Sequence, residues 1–128
     1  SCAASVTWTN NGPASFAGNC NAAQAVTFTA NDGCGNTVPT TATFSVTDNT
    51  PPTLVTPASD RTVECNGSGN TNDINTFLST RGGASATDNC GSVTWTNDFV
   101  ALSGGCSSAA TVTFTGCDPC SLCVRTTA

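Results

Sequence analysis

The chain has 128 residues, nine of them cysteines, and a net charge of −5 from eight acidic and three basic residues. All three basic residues are arginines, so the chain has too little positive charge to cover nucleic-acid phosphates or an anionic membrane surface. It contains no histidine and no lysine, which excludes Ser-His-Asp and Cys-His relays, histidine-bound zinc and Schiff-base chemistry. We therefore expect no enzymatic activity, no nucleic-acid partner and no membrane insertion.

Apolar residues alternate with threonine or serine in the first part of the chain, which is typical of strands in an antiparallel sheet with one buried face. The pattern predicts a strand over residues 5–10, a second around residues 26–29 and a third around residues 43–47. The inward positions of these three strands are Val6, Trp8, Val26, Phe28, Phe44 and Val46.

A proline-containing linker, Asp48-Asn49-Thr50-Pro51-Pro52, follows the third strand and predicts a boundary between residues 1–48 and residues 49–128. Beyond it, residues 53–56 and 61–65 are predicted to be strands.

Residues 71–80 differ from the rest, because Ile74, Phe77 and Leu78 have the spacing of a helical face. Residues 71–73 offer N-caps, and Gly82-Gly83 offers a stop, so we expect one short helix. Two further strands are then predicted, around Trp95 and around Phe114.

The chain contains an internal repeat of about 86 residues. SVTWTNN starts at Ser5 and SVTWTND at Ser92, and VTFT starts at Val26 and again at Val112. Copy one is thus incomplete: it lacks the equivalent of residues 51–87, which are the first two strands and the helix. Copy two lacks the equivalent of residues 43–48, which is the last strand.

The order of motifs resembles a known family. PP in the linker, then ATDNCGSVTWTND, VTFTANDGCGN and TTATFSVTD, is similar to hyalin-repeat (HYR-like) modules, and more closely to the tandem repeats of large bacterial surface adhesins. This resemblance implies an all-β, immunoglobulin-like sandwich with one short helix, an extracellular or cell-surface location, and a role in adhesion or in building surface fibres. Copy two departs from the pattern, with Asp118-Pro119-Cys120-Ser121-Leu122 where copy one has Asp32-Gly33-Cys34-Gly35-Asn36.

The cysteines are interpreted as disulfide partners, because a chain with so few large apolar residues forms a thin core and depends on an oxidising compartment for covalent support. Cys117 and Cys123 flank Cys120 and are expected to pair with each other rather than hold an iron–sulfur cluster. In a sandwich of the class that the chain resembles, the directions of the strands favour three disulfide bonds: Cys2–Cys34, Cys90–Cys120 and Cys65–Cys106. A rival scheme is Cys65–Cys120 with Cys90–Cys106. Cys20 is left unpaired or intermolecular.

Three carboxylates form a candidate calcium site. Asp88 precedes the Trp95 strand and Asp118 follows the Phe114 strand, so both are expected at one end of copy two. Asp48, in the linker, is expected to arrive at the same end. Carboxylate oxygens are the ligands that Ca²⁺ prefers.

Two functions are consistent with these features. The first is a structural or adhesive repeat that assembles with copies of itself, in a tandem array or in a head-to-tail filament with contacts through residues 1–12 and 117–128. The alternative is a carbohydrate- or protein-binding adhesion module, for which Trp8 and Trp95 are candidates, although their alternation predicts that both point into the core.

Overall fold

Antiparallel strands make up most of the computed structural model, which describes residues 5–16, 20–102 and 107–128. In chain order the elements are β1 (Thr7–Asn10), β2 (Ala22–Asn31), β3 (Thr37–Val46), β4 (Thr53–Thr56), α1 (Thr71–Ser79), a 3₁₀ turn (Arg81–Gly83), β5 (Ser85–Thr87), β6 (Thr94–Asn97), β7 (Thr113–Cys117) and β8 (Cys123–Thr127). The protein is all-β with one short helix, as the sequence predicts. The chain divides into two units, Ser1–Asp48 and Asn49–Ala128, at the linker that the sequence predicts.

The first unit is a three-stranded meander in the order β1-β2-β3. Trp8 pairs with Ala30 and Ala30 with Val38, while Phe28 pairs with Thr40. Directly paired residues point to the same side of a sheet, so one face carries the apolar residues together with Thr40, and the other carries most of the threonines. The predicted alternation is therefore present in the structure.

The apolar face of this sheet, which we call the open face, is largely accessible to solvent. Its members are Trp8, Val26, Phe28, Ala30, Val38 and Phe44. Trp8 is 61% exposed, Val38 62% and Phe44 58%, although the Phe16 ring lies 5.3 Å from that of Phe44. The expectation that Trp8 lies in a core is wrong for this chain, because the described residues of its unit place no second layer over it.

The second unit contains a sheet of the same topology, β6-β7-β8, and a separate two-stranded sheet of β4 and β5. Trp95 pairs with Gly116, and Phe114 pairs with Thr126. Here the apolar face is covered: Phe114 is 1% exposed and Val112 2%. The Phe77 ring of α1 meets that of Phe114 edge-on at 5.6 Å, and the Ala58 amide donates a 2.9 Å hydrogen bond to the Thr126 hydroxyl.

Two details of the second unit differ from the predictions. Residues 61–65 do not form a strand; β4 pairs with β5 instead. This segment carries Arg61 and Glu64 and only one large apolar residue, Val63, which is 41% exposed, so it has little to bury. The N-cap of α1 is Asn70, in the left-handed conformation and one residue before the predicted N-caps, and the end of the helix leads into the predicted Gly82-Gly83 stop.

Candidate functional site

The turns that follow β2 and β7 have the same backbone frame. In the first turn, the Asp32 amide donates to the Asn36 carbonyl at 3.2 Å; in the second, the Asp118 amide donates to the Leu122 carbonyl at 2.9 Å. In both, the aspartate Oδ1 accepts bonds from the amides two and four residues later, so the aspartate organises the turn. The change from Gly33 to Pro119 therefore leaves this frame intact.

The base of each turn is closed differently. In copy two, the cross-strand pair Cys117–Cys123 is joined by a disulfide, as the sequence predicts. The equivalent pair in copy one is Asn31–Thr37, which has no such bond. A short covalent loop restricts the unfolded chain and so stabilises the second turn relative to the first.

The Oδ2 atoms of Asp32 and Asp118 have different environments. Asp32 Oδ2 accepts a 2.7 Å bond from the Asn36 side-chain amide. This bond, together with the amide donated by Cys34, lowers the pKa of Asp32 below its usual value of 3.8. Leu122 occupies the Asn36 position in copy two and cannot donate, so Asp118 Oδ2 is buried without a hydrogen-bond partner among the described residues.

Asp88 lies beside Asp118. A carboxylate oxygen of Asp88 and one of Asp118 are within 4.8 Å of each other. Asp88 Oδ2 accepts a 2.7 Å bond from the Cys90 amide, whereas its Oδ1 is buried and has no hydrogen-bond partner in the described part of the chain. The two loops touch, since a Cβ on Gly91 would lie 2.9 Å from Pro119 Cγ.

The structure thus brings together Asp88 and Asp118, two of the three predicted calcium ligands. Asp48, the third, is the last residue of the first unit and is itself only 7% exposed. Its participation stays a prediction. Sequence reasoning located the two carboxylates from strand ends but did not detect that Leu122 removes a donor, although the comparison of Asn36 with Leu122 contains that signal.

The cysteines agree only in part with the predicted scheme. Cys34 and Cys120 are both disulfide-bonded. The sulfur atoms of Cys90 and Cys120 lie within 4.8 Å of each other, so Cys90 and Cys120 do share one end of the second unit. Cys2 and Cys106 lie outside the described residues, so the pairs Cys2–Cys34, Cys90–Cys120 and Cys65–Cys106, and the rival scheme, stay predictions.

Cys20 requires a correction. It is disulfide-bonded in a structure that contains a single chain, so the prediction that it is unpaired or bonds another chain is wrong.

A groove in the second unit surrounds the second tryptophan. The Arg81 guanidinium lies 5.6 Å from the Trp95 ring centroid, a cation–π distance. The groove has a volume of about 420 Å³ and is also lined by Leu78, Asn97 and Phe114. Trp95 is half-buried, so only part of its ring faces the groove.

Comparisons with known proteins identify no relative: no family model, no curated protein and no solved structure matches the chain. Among the described residues, no helix combines the length and apolar character needed to cross a bilayer.

Proposed function

We propose that the chain is a structural or adhesive repeat of an extracellular bacterial surface protein, and that it works in series with similar repeats, in a tandem array or a head-to-tail filament. The observation that carries the proposal is the open face. Apolar surface of this extent on a sheet usually marks a site that another element covers.

The second unit indicates the chemistry of the covering element. Phe114 is equivalent to Phe28 in the repeat, and α1 covers Phe114 through Phe77. We infer that a segment equivalent to residues 53–87 of another repeat covers Phe28 and Trp8 in the same way. Each repeat would then be an immunoglobulin-like sandwich, with the β4–β5 and α1 segment packed on the three-stranded sheet.

Two further features support an extracellular structural role. Disulfide bonds persist in oxidising compartments, and Cys20, Cys34, Cys117, Cys120 and Cys123 are all disulfide-bonded. The outward face of the β1-β2-β3 sheet is rich in threonine, and that of the β6-β7-β8 sheet carries threonines and one charged side chain, Arg125, which pairs with Thr115. The proposal includes no catalytic role.

The covering segment can be supplied covalently as a test. A protein with a second copy of residues 51–87 placed ahead of Ser1, in a Trp95→Phe background, reports on Trp8 alone. We expect the Trp8 emission to shift to shorter wavelength and self-association in sedimentation velocity to fall, because the added segment buries the open face. Electron micrographs of the unmodified chain are expected to show filaments or irregular assemblies.

The matched control is the same fusion with the Phe77 equivalent of the added segment changed to serine, which removes the ring that would contact Phe28. This control should leave Trp8 exposed. If Trp8 emission is the same in the fusion, in its control and in the Trp95→Phe chain without the added segment, that segment does not cover the open face and the proposal fails.

The alternative, a carbohydrate- or protein-binding module, is favoured by one observation, the groove beside Trp95 and Arg81. Rings next to polar groups are common in carbohydrate sites. A change in Trp95 fluorescence on titration with a panel of oligosaccharides, abolished by Arg81→Ala, would favour this function over the structural one.

A further inference from the structure

The pair Asp88–Asp118 in the second unit is not explained by folding alone. Asp118 is only 5% exposed, and its Oδ1 already serves the turn through the amides of Cys120 and Leu122. Its Oδ2 is buried with no hydrogen-bond partner, and so is Asp88 Oδ1. A buried, unpaired carboxylate oxygen is costly, and two carboxylates at this separation repel each other unless positive charge lies between them.

We propose that Asp88 and Asp118 bind a divalent cation, and that this cation is calcium. The inference goes beyond the proposed function and does not depend on it. Asp88 Oδ1 and Asp118 Oδ2 are the two protein ligands, while Asp88 Oδ2 and Asp118 Oδ1 hold the carboxylates in place through backbone amides. The cation supplies the positive charge that the two oxygens otherwise lack.

Donor chemistry favours calcium over other metals. Both ligand atoms are hard carboxylate oxygens, which suit Ca²⁺ and Mg²⁺ rather than zinc or copper. Mg²⁺ dehydrates reluctantly and keeps most of its waters, whereas these oxygens are buried and require direct ligation. Sites with few charged ligands in extracellular modules bind Ca²⁺ with Kd values of about 0.1–1 mM, the range that we expect here.

The equivalent position in copy one serves as a built-in comparison. Asp32 has the same turn, but the Asn36 side chain occupies its Oδ2. Changing Leu122 to asparagine should bring the same donor to Asp118 Oδ2. This variant keeps both carboxylates and the net charge, so it separates direct ligation from a general attraction of cations to an acidic protein.

Isothermal titration of the EDTA-treated 128-residue protein with CaCl₂ tests the site. We expect binding to one site, weakened at least about tenfold in Asp88→Asn and in Asp118→Asn, since loss of a ligand should cost no less than loss of a supporting group. Asparagine retains an oxygen that can accept the Cys90 or Cys120 amide, so both variants should fold, which circular dichroism checks. Leu122→Asn should weaken binding to a similar degree.

Asp60→Asn is the control, because it removes one exposed negative charge away from the pair and should leave the affinity unchanged. Absence of binding to the folded protein at about 10 mM CaCl₂, ten times the weak end of the expected range, would overturn the proposal. Binding that Asp88→Asn, Asp118→Asn and Leu122→Asn leave intact would overturn it too, as would an equal preference for MgCl₂.

Discussion

Phe28 and Phe114 occupy the same position in two copies of the strand VTFT, yet Phe28 is 37% exposed and Phe114 only 1%. Their strand neighbours are similar: Phe28 pairs with Asn10 and Thr40, and Phe114 pairs with Asn97 and Thr126. The difference comes from the second layer, in which Phe77 contacts Phe114 and Ala58 bonds to Thr126. The strand sequence therefore specifies the sheet and its apolar face, but a separate segment decides whether that face is buried.

The largest effect that we predict comes from removing each ring in turn. Phe114→Ala should destabilise the second unit by about 3–5 kcal/mol, the usual cost of deleting a buried aromatic side chain. Phe28→Ala is the matched variant and should cost much less, about 1 kcal/mol or below, because that ring is already partly in water. Urea unfolding of the two variants, followed by circular dichroism, measures the difference. Equal losses would show that Phe28 is buried in solution and would remove the contrast between the two sheets.

The tryptophans show a second contrast between the sheets. Trp8 lies opposite Ala30, while Trp95 lies opposite Gly116. A Cβ on Gly116 would lie 2.9 Å from Val93 Cγ1 and 3.1 Å from Trp95 Cε2, so only glycine lets this indole ring pack against the strand. The Arg81 guanidinium then lies on the Trp95 ring.

Gly116→Ala should destabilise the second unit by about 1–3 kcal/mol, the typical cost of overpacking, and should displace Trp95 toward solvent. A shift of Trp95 emission to longer wavelength, measured in a Trp8→Phe background, accompanies the loss of stability. The reverse variant in copy one, Ala30→Gly, is the control and should leave Trp8 emission unchanged, because that ring is exposed by the lack of a second layer among the described residues and not by the residue opposite it. A protein in which Gly116→Ala has no effect on Trp95 would contradict the close packing.

Local patterns and the internal repeat were sufficient to predict much of this structure. Alternation gave the paired strands, the spacing of Ile74, Phe77 and Leu78 gave α1, and strand direction brought Asp88 and Asp118 to one end. The exposure of Trp8 could not be read from alternation, because alternation reports which side a residue faces and not what covers it. The bonded state of Cys20 was misjudged for a related reason: disulfide connectivity depends on tertiary proximity, which spacing does not determine.

The two aspartate turns give the finest contrast, because their backbone frames agree and a single side chain differs. Asn36 donates to Asp32 Oδ2, whereas Leu122 has no donor to offer Asp118. In copy one, the carboxylate charge is satisfied by the protein itself. In copy two, Asp118 Oδ2 has no such partner among the described residues, so one difference in a shared backbone frame separates a structural aspartate from the proposed calcium ligand.

Asn36→Leu, which gives copy one the residue of copy two, should raise the pKa of Asp32 toward its usual value, since the Asn36 side-chain bond is the largest cause of the lowering. The shift should be partial, because the amides of Cys34 and residue 36 still donate to Oδ1. A lowered pKa means that Asp32 stabilises the folded state above its unfolded value of about 3.8 and loses that contribution as pH falls through the folded value. Asn36→Leu should therefore reduce the acid sensitivity of the first unit slightly, and only below about pH 4.

NMR titration of the Asp32 carboxyl carbon measures the shift in the Asp32 pKa, with Asn49→Leu as a control outside the turn. An Asp32 pKa that does not move would show that the Asn36 amide is not its principal partner in solution.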